Sequence, residues 1–246
     1  MLAFLLRRFL SSLLTLMLVS MLVFAMVRIQ GDPRAVLLGT FFTQEQWDAV
    51  GIKLGLDKPW YHQYRIFVRD MLTGSFGQST KESRPVRDVI SERIMPTLQL
   101  GAASFLFSIV IGVPLGVLSA VRRGGVLDYV TKVLALIGQA APSFWLGVML
   151  IFLFAVELRW VPPSGREEWT GIILPTITIG WFFVAANLRL VRSTMLDVLD
   201  SEYIKLARAK GMANKTVIWK HALRNAVIPL VTFAGFTLSS MVAGSV

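Results

Sequence analysis

Charged and apolar positions are sharply segregated along the chain. Five runs carry no Asp, Glu, Lys, Arg or His, and each run holds between 19 and 28 residues. A helix needs about 20 mostly apolar residues to cross the hydrocarbon core of a bilayer. The pattern therefore predicts an all-α polytopic membrane protein, with spanning helices in residues 9–27, 94–121, 133–156, 169–188 and 225–246.

The first run follows Arg7 and Arg8 and ends at Arg28. A secretory signal peptide has a shorter apolar stretch and a small-residue cleavage pattern, neither of which the sequence has here. We therefore interpret residues 1–30 as a short cytoplasmic end followed by an uncleaved transmembrane helix.

The charges between the runs predict the orientation. With the N-terminus inside, the inner segments 1–8, 122–132 and 189–224 hold thirteen basic and four acidic residues. The outer segments 28–93 and 157–168 hold twelve basic and eleven acidic residues. Lys and Arg accumulate in cytoplasmic loops, so the N-terminus is expected in the cytoplasm. The net charge of +10 is divided among loops that flank the membrane, which does not favour nucleic-acid binding.

Residues 31–93 predict a small extracytoplasmic helical domain. The aromatic and apolar residues between Trp60 and Met71 recur at helical spacing, and we expect them to pack the small helices onto the ends of the membrane helices. Three helices are expected in this domain. The first runs from Thr43 to about Gly51, with Thr43 and Gln46 as a capping box, and the second runs from Pro59 to Leu72 and is stopped by Gly74. The third runs from Val86 to about Met95 and meets the second apolar run at Pro96.

Several small residues and prolines interrupt the apolar runs. Small residues let helices approach closely, and proline bends a membrane helix when neighbours satisfy the freed carbonyl. Ordinary helix packing explains them most simply, and movement along a transport pathway is an added hypothesis. The candidates for packing or gating are Gly112, Pro114, Gly116, Pro142 and Pro229, with Pro142 expected to produce a kink near the middle of the membrane.

Residues 193–224 predict a helix–glycine–helix element on the cytoplasmic side. Asp200 or Ser201 can cap its first helix, Gly211 can close that helix in a left-handed conformation, and Asn214 can cap the second helix. From the residues alone, two interpretations stay open. The segment is either a basic amphipathic element on anionic lipid or a compact projection that docks on a cytosolic partner.

The sequence offers no chemistry for catalysis. The two histidines, His62 and His221, lie on opposite predicted sides of the membrane, and the chain has no cysteine. The sequence also lacks a P-loop pattern for ATP binding. We therefore expect neither an enzyme nor a bound metal or cofactor, and we expect any ATP hydrolysis to occur in separate chains. The polar residues inside the runs, Gln99, Gln139 and Asn187, are expected to form hydrogen bonds between helices.

Motifs along the whole chain resemble the permeases of dipeptide/oligopeptide ABC importers, a family that also includes nickel and glutathione importers. They occur in the order of that family. They include Leu54-Gly-Leu-Asp-Lys-Pro59, Gly74-Ser-Phe-Gly-Gln-Ser79, Ala141-Pro-Ser-Phe-Trp-Leu-Gly147, Tyr203-Ile-Lys-Leu-Ala-Arg-Ala-Lys-Gly211 and His221-Ala-Leu-Arg-Asn-Ala-Val-Ile-Pro229.

The resemblance implies the type I ABC importer permease fold in a bacterial or archaeal cytoplasmic membrane. It implies a sister permease, two cytosolic ATP-binding subunits and an extracytoplasmic solute-binding protein as partners. Such permeases have six spans, and the sixth is expected to be missing here because the sequence ends within the fifth run. The segment 193–224 would be the element that couples to the ATPase, with Tyr203, Ala207, Arg208, Ala209, Lys210, Gly211 and His221 as its matching residues.

Three alternatives accompany this interpretation. The substrate can be a dipeptide or oligopeptide, glutathione or nickel within the same family. A non-transporting membrane scaffold is a rival from another class. An intramembrane enzyme is a third, but it would need a nucleophile with a base, or metal ligands, inside the membrane.

Overall fold

The computed structural model describes residues 2–29, 31–38, 42–79, 82, 84–165 and 168–244. These described residues form helices and no β-strand, apart from an isolated antiparallel bridge between Gln78 and Pro85. The chain divides into two compact units, Met1–Arg93 and Ile94–Val246.

Twelve α-helices, two π-helical segments and one 3-10 turn are present in the described part of the chain. The first seven helices are α1 (Leu2–Ile29), α2 (Pro33–Leu38), α3 (Gln44–Lys53), α4 (Trp60–Thr73), α5 (Val86–Val121), α6 (Val126–Ala140) and α7 (Ser143–Leu150). They are followed by a π-helical segment (Ile151–Glu157), a 3-10 turn (Trp169–Ile172), α8 (Ile173–Leu199), α9 (Glu202–Ala209), α10 (Asn214–Thr216), a second π-helical segment (Val217–Ala222), α11 (Leu223–Ala226) and α12 (Ile228–Gly244).

In the first unit, α4 packs against α1 through aromatic side chains. The ring centroid of Phe24 on α1 lies 5.5 Å from that of Tyr64 and 5.7 Å from that of Phe67, both on α4. The hydroxyls of Ser20 and Tyr64 are 2.9 Å apart. The aromatic stripe of α4 therefore packs a small helix onto a long apolar one, as the sequence predicts.

Local signals in the first unit give the expected helix ends. The Thr43 hydroxyl accepts a hydrogen bond from the backbone N–H of Gln46, whose side chain accepts one from the N–H of Thr43, so the capping box is confirmed. Gly74 adopts φ +71° as the C-cap of α4. A left-handed residue at this position is a common helix terminator, and glycine takes it without a Cβ clash.

A network of ion pairs surrounds Arg84 at the start of α5. Its guanidinium donates hydrogen bonds to Glu82 at 2.8 Å and to both carboxylate oxygens of Glu92 at 2.6 and 2.7 Å. Glu82 also pairs with Arg93. The hydrogen bond from Arg84 is the main reason that the pKa of Glu82 lies below its usual value, and Arg93 adds to this effect.

The helix α5 is longer than the sequence predicts. A junction was expected at Pro96, but α5 runs without interruption from Val86 to Val121 and contains both Pro96 and Pro114. A proline removes one backbone hydrogen bond, and a membrane helix tolerates this loss where its neighbours satisfy the freed carbonyl.

The third apolar run is broken rather than kinked. Helix α6 begins at Val126, seven residues before the run, and the chain turns by 106° between α6 and the pair formed by α7 and its π-helical extension. Ala141 is extended (φ −72°, ψ 126°) and Pro142 is the N-cap of α7. A residue that precedes proline avoids the helical conformation, which explains why the helix ends here.

Within the described ranges, three helices are long and apolar enough to span a membrane, or up to five if each bent pair counts as one span. The three are Ala3–Ile29, Val86–Val121 and Trp169–Leu199. The second bent pair turns by 56° between α11 and α12. Pro229 is the second residue of α12, where its missing N–H removes no bond within the helix.

The backbones of helices α5 and α8 approach each other closely where α5 carries glycine. A Cβ atom at Gly112 would lie 2.9 Å from the carbonyl oxygen of Val184, and one at Gly116 would lie 2.8 Å from that of Leu188. In the same interface, Asn187 donates a hydrogen bond to the hydroxyl of Ser108 at 3.2 Å. Asn187 therefore bonds between helices, as expected, and the small residues of α5 permit the close approach.

Candidate coupling site

The C-terminal part of α8 continues beyond the fourth apolar run and leads into the predicted coupling segment. This segment is 193–224, and its first residues still belong to α8, which ends at Leu199. Ser201 is the N-cap of α9, although its hydroxyl donates back to the carbonyl of Val198 rather than capping. The N-cap of α10 is Ala213, so Asn214 is the first helical residue and not the predicted cap.

Gly211 closes α9 as the sequence predicts. Its φ is +76°, its N–H donates to the carbonyl of Arg208 at 2.9 Å, and the N–H of Met212 donates to the carbonyl of Ala207 at 3.3 Å. These two bonds around a left-handed residue form a Schellman motif, which satisfies carbonyls at the helix end and reverses the chain. A Cβ at Gly211 would have no neighbour within 4 Å, so the requirement for glycine comes from the backbone alone.

The coupling segment is anchored to α5 and α8 by an apolar cluster. Ile204 is the buried residue of α9, and Val217, Ile218 and Ala222 of the second π-helical segment are buried in the same cluster. Thr194 on α8 donates a hydrogen bond to the carbonyl of Ala226 at 3.0 Å. The buried members of this cluster are Val117, Ala120, Val191, Met195, Ile204, Val217, Ile218, Ala222, Ala226 and Leu230.

A polar clasp joins the two arms of the segment. The side-chain amide of Asn225 donates to the hydroxyl of Tyr203 at 2.8 Å and to the carbonyl of His221 at 3.3 Å. Together with the apolar cluster, this clasp fixes α9 relative to α11. The segment is therefore a compact projection with a defined orientation.

The outward face of the projection combines apolar and basic side chains. Leu206 is 57% exposed, and Trp219 and Met212 are also exposed. Lys205, Arg208, Lys210, Lys215 and Lys220 are exposed as well. Exposed apolar side chains among basic ones make this segment a candidate surface for a partner.

The structure places the predicted site residues in two groups. In the coupling segment, Tyr203, Arg208, Ala209, Lys210 and Gly211 are exposed, whereas Ala207 and His221 are partly buried. In the helices, Gly112 and Gly116 form the contact of α5 with α8, Pro114 lies within α5, and Pro142 and Pro229 lie at the two bends.

Sequence reasoning missed a charged cluster beside the coupling segment. Asp128 in the first turn of α6 is fully buried, and it accepts hydrogen bonds from Arg192 on α8 and Ser119 on α5. The only signal in the sequence is one acidic residue among the basic residues of 122–132. The sequence also gives no sign that Leu206, Met212 and Trp219 are exposed, because apolar residues of these types commonly lie in a core.

A cavity of about 870 Å³ lies in the second unit. Its walls are residues 96–100 of α5, the α7 region, the loop that follows the first π-helical segment, the 3-10 turn and the start of α8. Most of its walls are apolar, and its polar lining residues include Thr97, Gln99, Glu168 and Thr178.

Comparison with known proteins defines the class of this helical membrane protein. Residues 112–246 match the family described as binding-protein-dependent transport system inner membrane component, and residues 1–101 match the N-terminal domain that accompanies it. The chain therefore belongs to the inner-membrane permeases of peptide/nickel-type ABC importers, and its fold is the type I ABC permease fold. This family implies a transport subunit that works with a solute-binding protein and an ATP-binding partner.

Two relatives show how far the similarity extends. The chain is 38% identical over 247 residues to the glutathione transport system permease protein GsiC of Escherichia coli (strain K12). The alignment covers 100% of this chain and 81% of that protein. The protein of the same name from Shigella dysenteriae serotype 1 (strain Sd197) gives the same identity and coverage.

Proposed function

We propose that this permease and a sister permease form the pathway for ATP-driven uptake of di- and oligopeptides that a solute-binding protein delivers. Two ATP-binding subunits dock on the cytoplasmic side. The segment 193–224 is the docking element on this chain. Glutathione is a small peptide, so the named relatives fall within the same substrate chemistry. A nickel importer of the same family is the alternative.

The observation that carries this proposal is the shape of the coupling segment within a chain of this family. A Schellman turn at Gly211, an anchor at Ile204 and the Tyr203–Asn225 clasp hold an exposed apolar surface in one orientation. An element that only lies on lipid needs an amphipathic face but no rigid orientation. A docking element needs both, because partners recognise shape as well as polarity.

Transport then proceeds by alternating access. ATP binding and hydrolysis move the docked projections, and the helices that carry them turn about their close contacts. The pathway opens first to the solute-binding protein and then to the cytoplasm. The substrate undergoes no covalent change, since the permease supplies no reacting group in this scheme.

Reconstitution tests the proposed function. The permease, its sister, the ATPases and the solute-binding protein are placed in proteoliposomes, and uptake of a labelled dipeptide, glutathione and Ni²⁺ is measured with and without ATP. We expect ATP-dependent uptake of a peptide substrate that is lost when this chain is omitted. Uptake of Ni²⁺ alone would select the nickel alternative, and ATP-independent behaviour for every substrate would contradict the proposal and favour a scaffold.

We further predict that residues 31–93 face the outside and that 193–224 faces the cytoplasm. The charge difference between the inner and outer segments supports this orientation. Because the sequence has no cysteine, single cysteines at Ser79 and Asn214 can be labelled without background. A membrane-impermeant thiol reagent applied to spheroplasts should label position 79 and spare position 214, and the reverse pattern would refute the orientation.

A further inference from the structure

A buried ion cluster links three helices at the inner end of the second unit. Asp128 on α6 and Ser119 on α5 are fully buried. One carboxylate oxygen of Asp128 accepts from the Nε of Arg192 and from the hydroxyl of Ser119, each at 2.7 Å. The other oxygen accepts from the Nη2 of Arg192 at 3.2 Å, from the N–H of Gly124 at 3.0 Å and from Lys132 at 2.9 Å.

This cluster differs from the one other ion pair in the described part of the second unit. That pair, Lys205 and Glu202, lies within α9 with both side chains exposed. Asp128 and Arg192 lie 64 positions apart in the sequence, and their contact joins two different helices. Burying a carboxylate costs free energy that an apolar contact of the same volume avoids. The pair is therefore better explained by the fixed geometry it imposes than by the stability it adds.

The inner end of α8 carries the coupling segment on one face and the ion cluster on another. Val191 and Met195 pack in the apolar cluster that holds Ile204, and Thr194 bonds to the carbonyl of Ala226. Between them, Arg192 reaches α6. Arg192 thus ties the part of α8 that carries the coupling segment to α6 through a two-point hydrogen bond.

Helix α6 in turn leads to the cavity. It joins α7 across the bend at Pro142, and Gly147 of α7 and Ile151 of the following π-helical segment line the cavity. We propose that Asp128 and Arg192 are positioning residues for energy coupling, which tie the coupling segment to α6 and so to the wall of the cavity. This inference rests on the proposed function as an ATP-driven importer.

The substitution Arg192→Lys separates geometry from charge. Lysine keeps the positive charge beside Asp128 but offers a point contact in place of the guanidinium fork. The fold is therefore retained while the two-point tie is lost. Asp128→Asn is the stronger variant, because it leaves Arg192 without its charged partner. The matched control is Arg69→Lys, which makes the same change in an exposed ion pair on α4, outside both the coupling segment and α6.

The readout is substrate taken up per ATP hydrolysed by the complete transporter in proteoliposomes. With Arg192→Lys we expect ATPase recovery and ATP hydrolysis close to wild type, whereas uptake per ATP falls between about twofold and thirtyfold. Asp128→Asn should lower the ratio further, and Arg69→Lys should leave it unchanged. A purely structural role would reduce uptake and hydrolysis together at an unchanged ratio.

Two results would overturn the inference: an unchanged ratio in both Arg192→Lys and Asp128→Asn, or an equal loss of the ratio in Arg69→Lys. The failure of the proposed function has a different signature, because wild-type protein would then show no ATP-dependent uptake.

A distance measurement supplies a readout that does not depend on transport. Spin labels at Leu136 and Leu206, which are exposed on α6 and α9, should give a narrow distance distribution that broadens in Arg192→Lys. An unchanged distribution would also contradict the tie.

Discussion

Replacing Gly116 by leucine is expected to give the largest loss of folded protein among the substitutions considered. A Cβ at this position would lie 2.8 Å from the carbonyl oxygen of Leu188 and 2.9 Å from the Cβ of Val191. Neither is the far end of a flexible side chain, so α8 would have to move away from α5. Overpacking of this kind costs about 1 to 3 kcal/mol or more. Thermal unfolding in detergent should show a lower midpoint.

Gly235 provides the matched control for this prediction. It lies within α12, and a Cβ there would have no neighbour within 4 Å. Gly235→Leu should be neutral or slightly stabilising, since glycine is less favourable than other residues in a helix by up to about 1 kcal/mol. A similar unfolding midpoint for the two variants would contradict the close contact between α5 and α8.

Replacing Gly211 by valine is expected to weaken the association of the ATPase while membrane insertion stays intact. The left-handed conformation costs an L-residue about 1 to 2 kcal/mol. If the turn changes conformation to relieve this strain, the segment is misoriented. The fraction of molecules in which it keeps its original shape then falls by as much as about thirtyfold. The measurement is recovery of the ATPase subunits when each permease variant is purified at matched expression.

Lys215→Ala separates docking from lipid binding. Lys215 is exposed in the same segment, and its removal changes one charge without altering the backbone. If the segment docks on the ATPase, Gly211→Val should reduce recovery far more than Lys215→Ala does. If the segment instead lies on anionic lipid, Lys215→Ala should impair the interaction with lipid at least as much as Gly211→Val does. ATPase recovery should then stay unchanged in both variants.

Features that depend on neighbouring residues could be predicted from the sequence. The capping box of Thr43 and Gln46, the stop at Gly74 and the left-handed turn at Gly211 all follow from backbone chemistry within a few positions. Segregation of charge likewise reveals apolar helices, because a span is defined by length and polarity.

Features that depend on tertiary contacts could not be predicted in the same way. Proline, for example, affects the helix differently at two positions: Pro96 lies inside a continuous helix, whereas Pro142 lies at a 106° bend. The partnership of Asp128 with Arg192 depends on how α6 and α8 pack, and no local pattern encodes it. The exposed position of Leu206 is equally invisible, because helical periodicity identifies apolar residues but not the partner they face.

Contact between the coupling segment and the ATPase is the central claim, and photo-crosslinking tests it most directly. Leu206 on α9 and Leu72 on α4 are both exposed leucines, at 57% and 83%, and either can be replaced by a cysteine that carries a benzophenone. In the complete transporter, irradiation should join position 206 to an ATP-binding subunit and should give no such product from position 72. A complex that contains the ATPases but yields no crosslink from position 206, or yields one from position 72, would contradict the account.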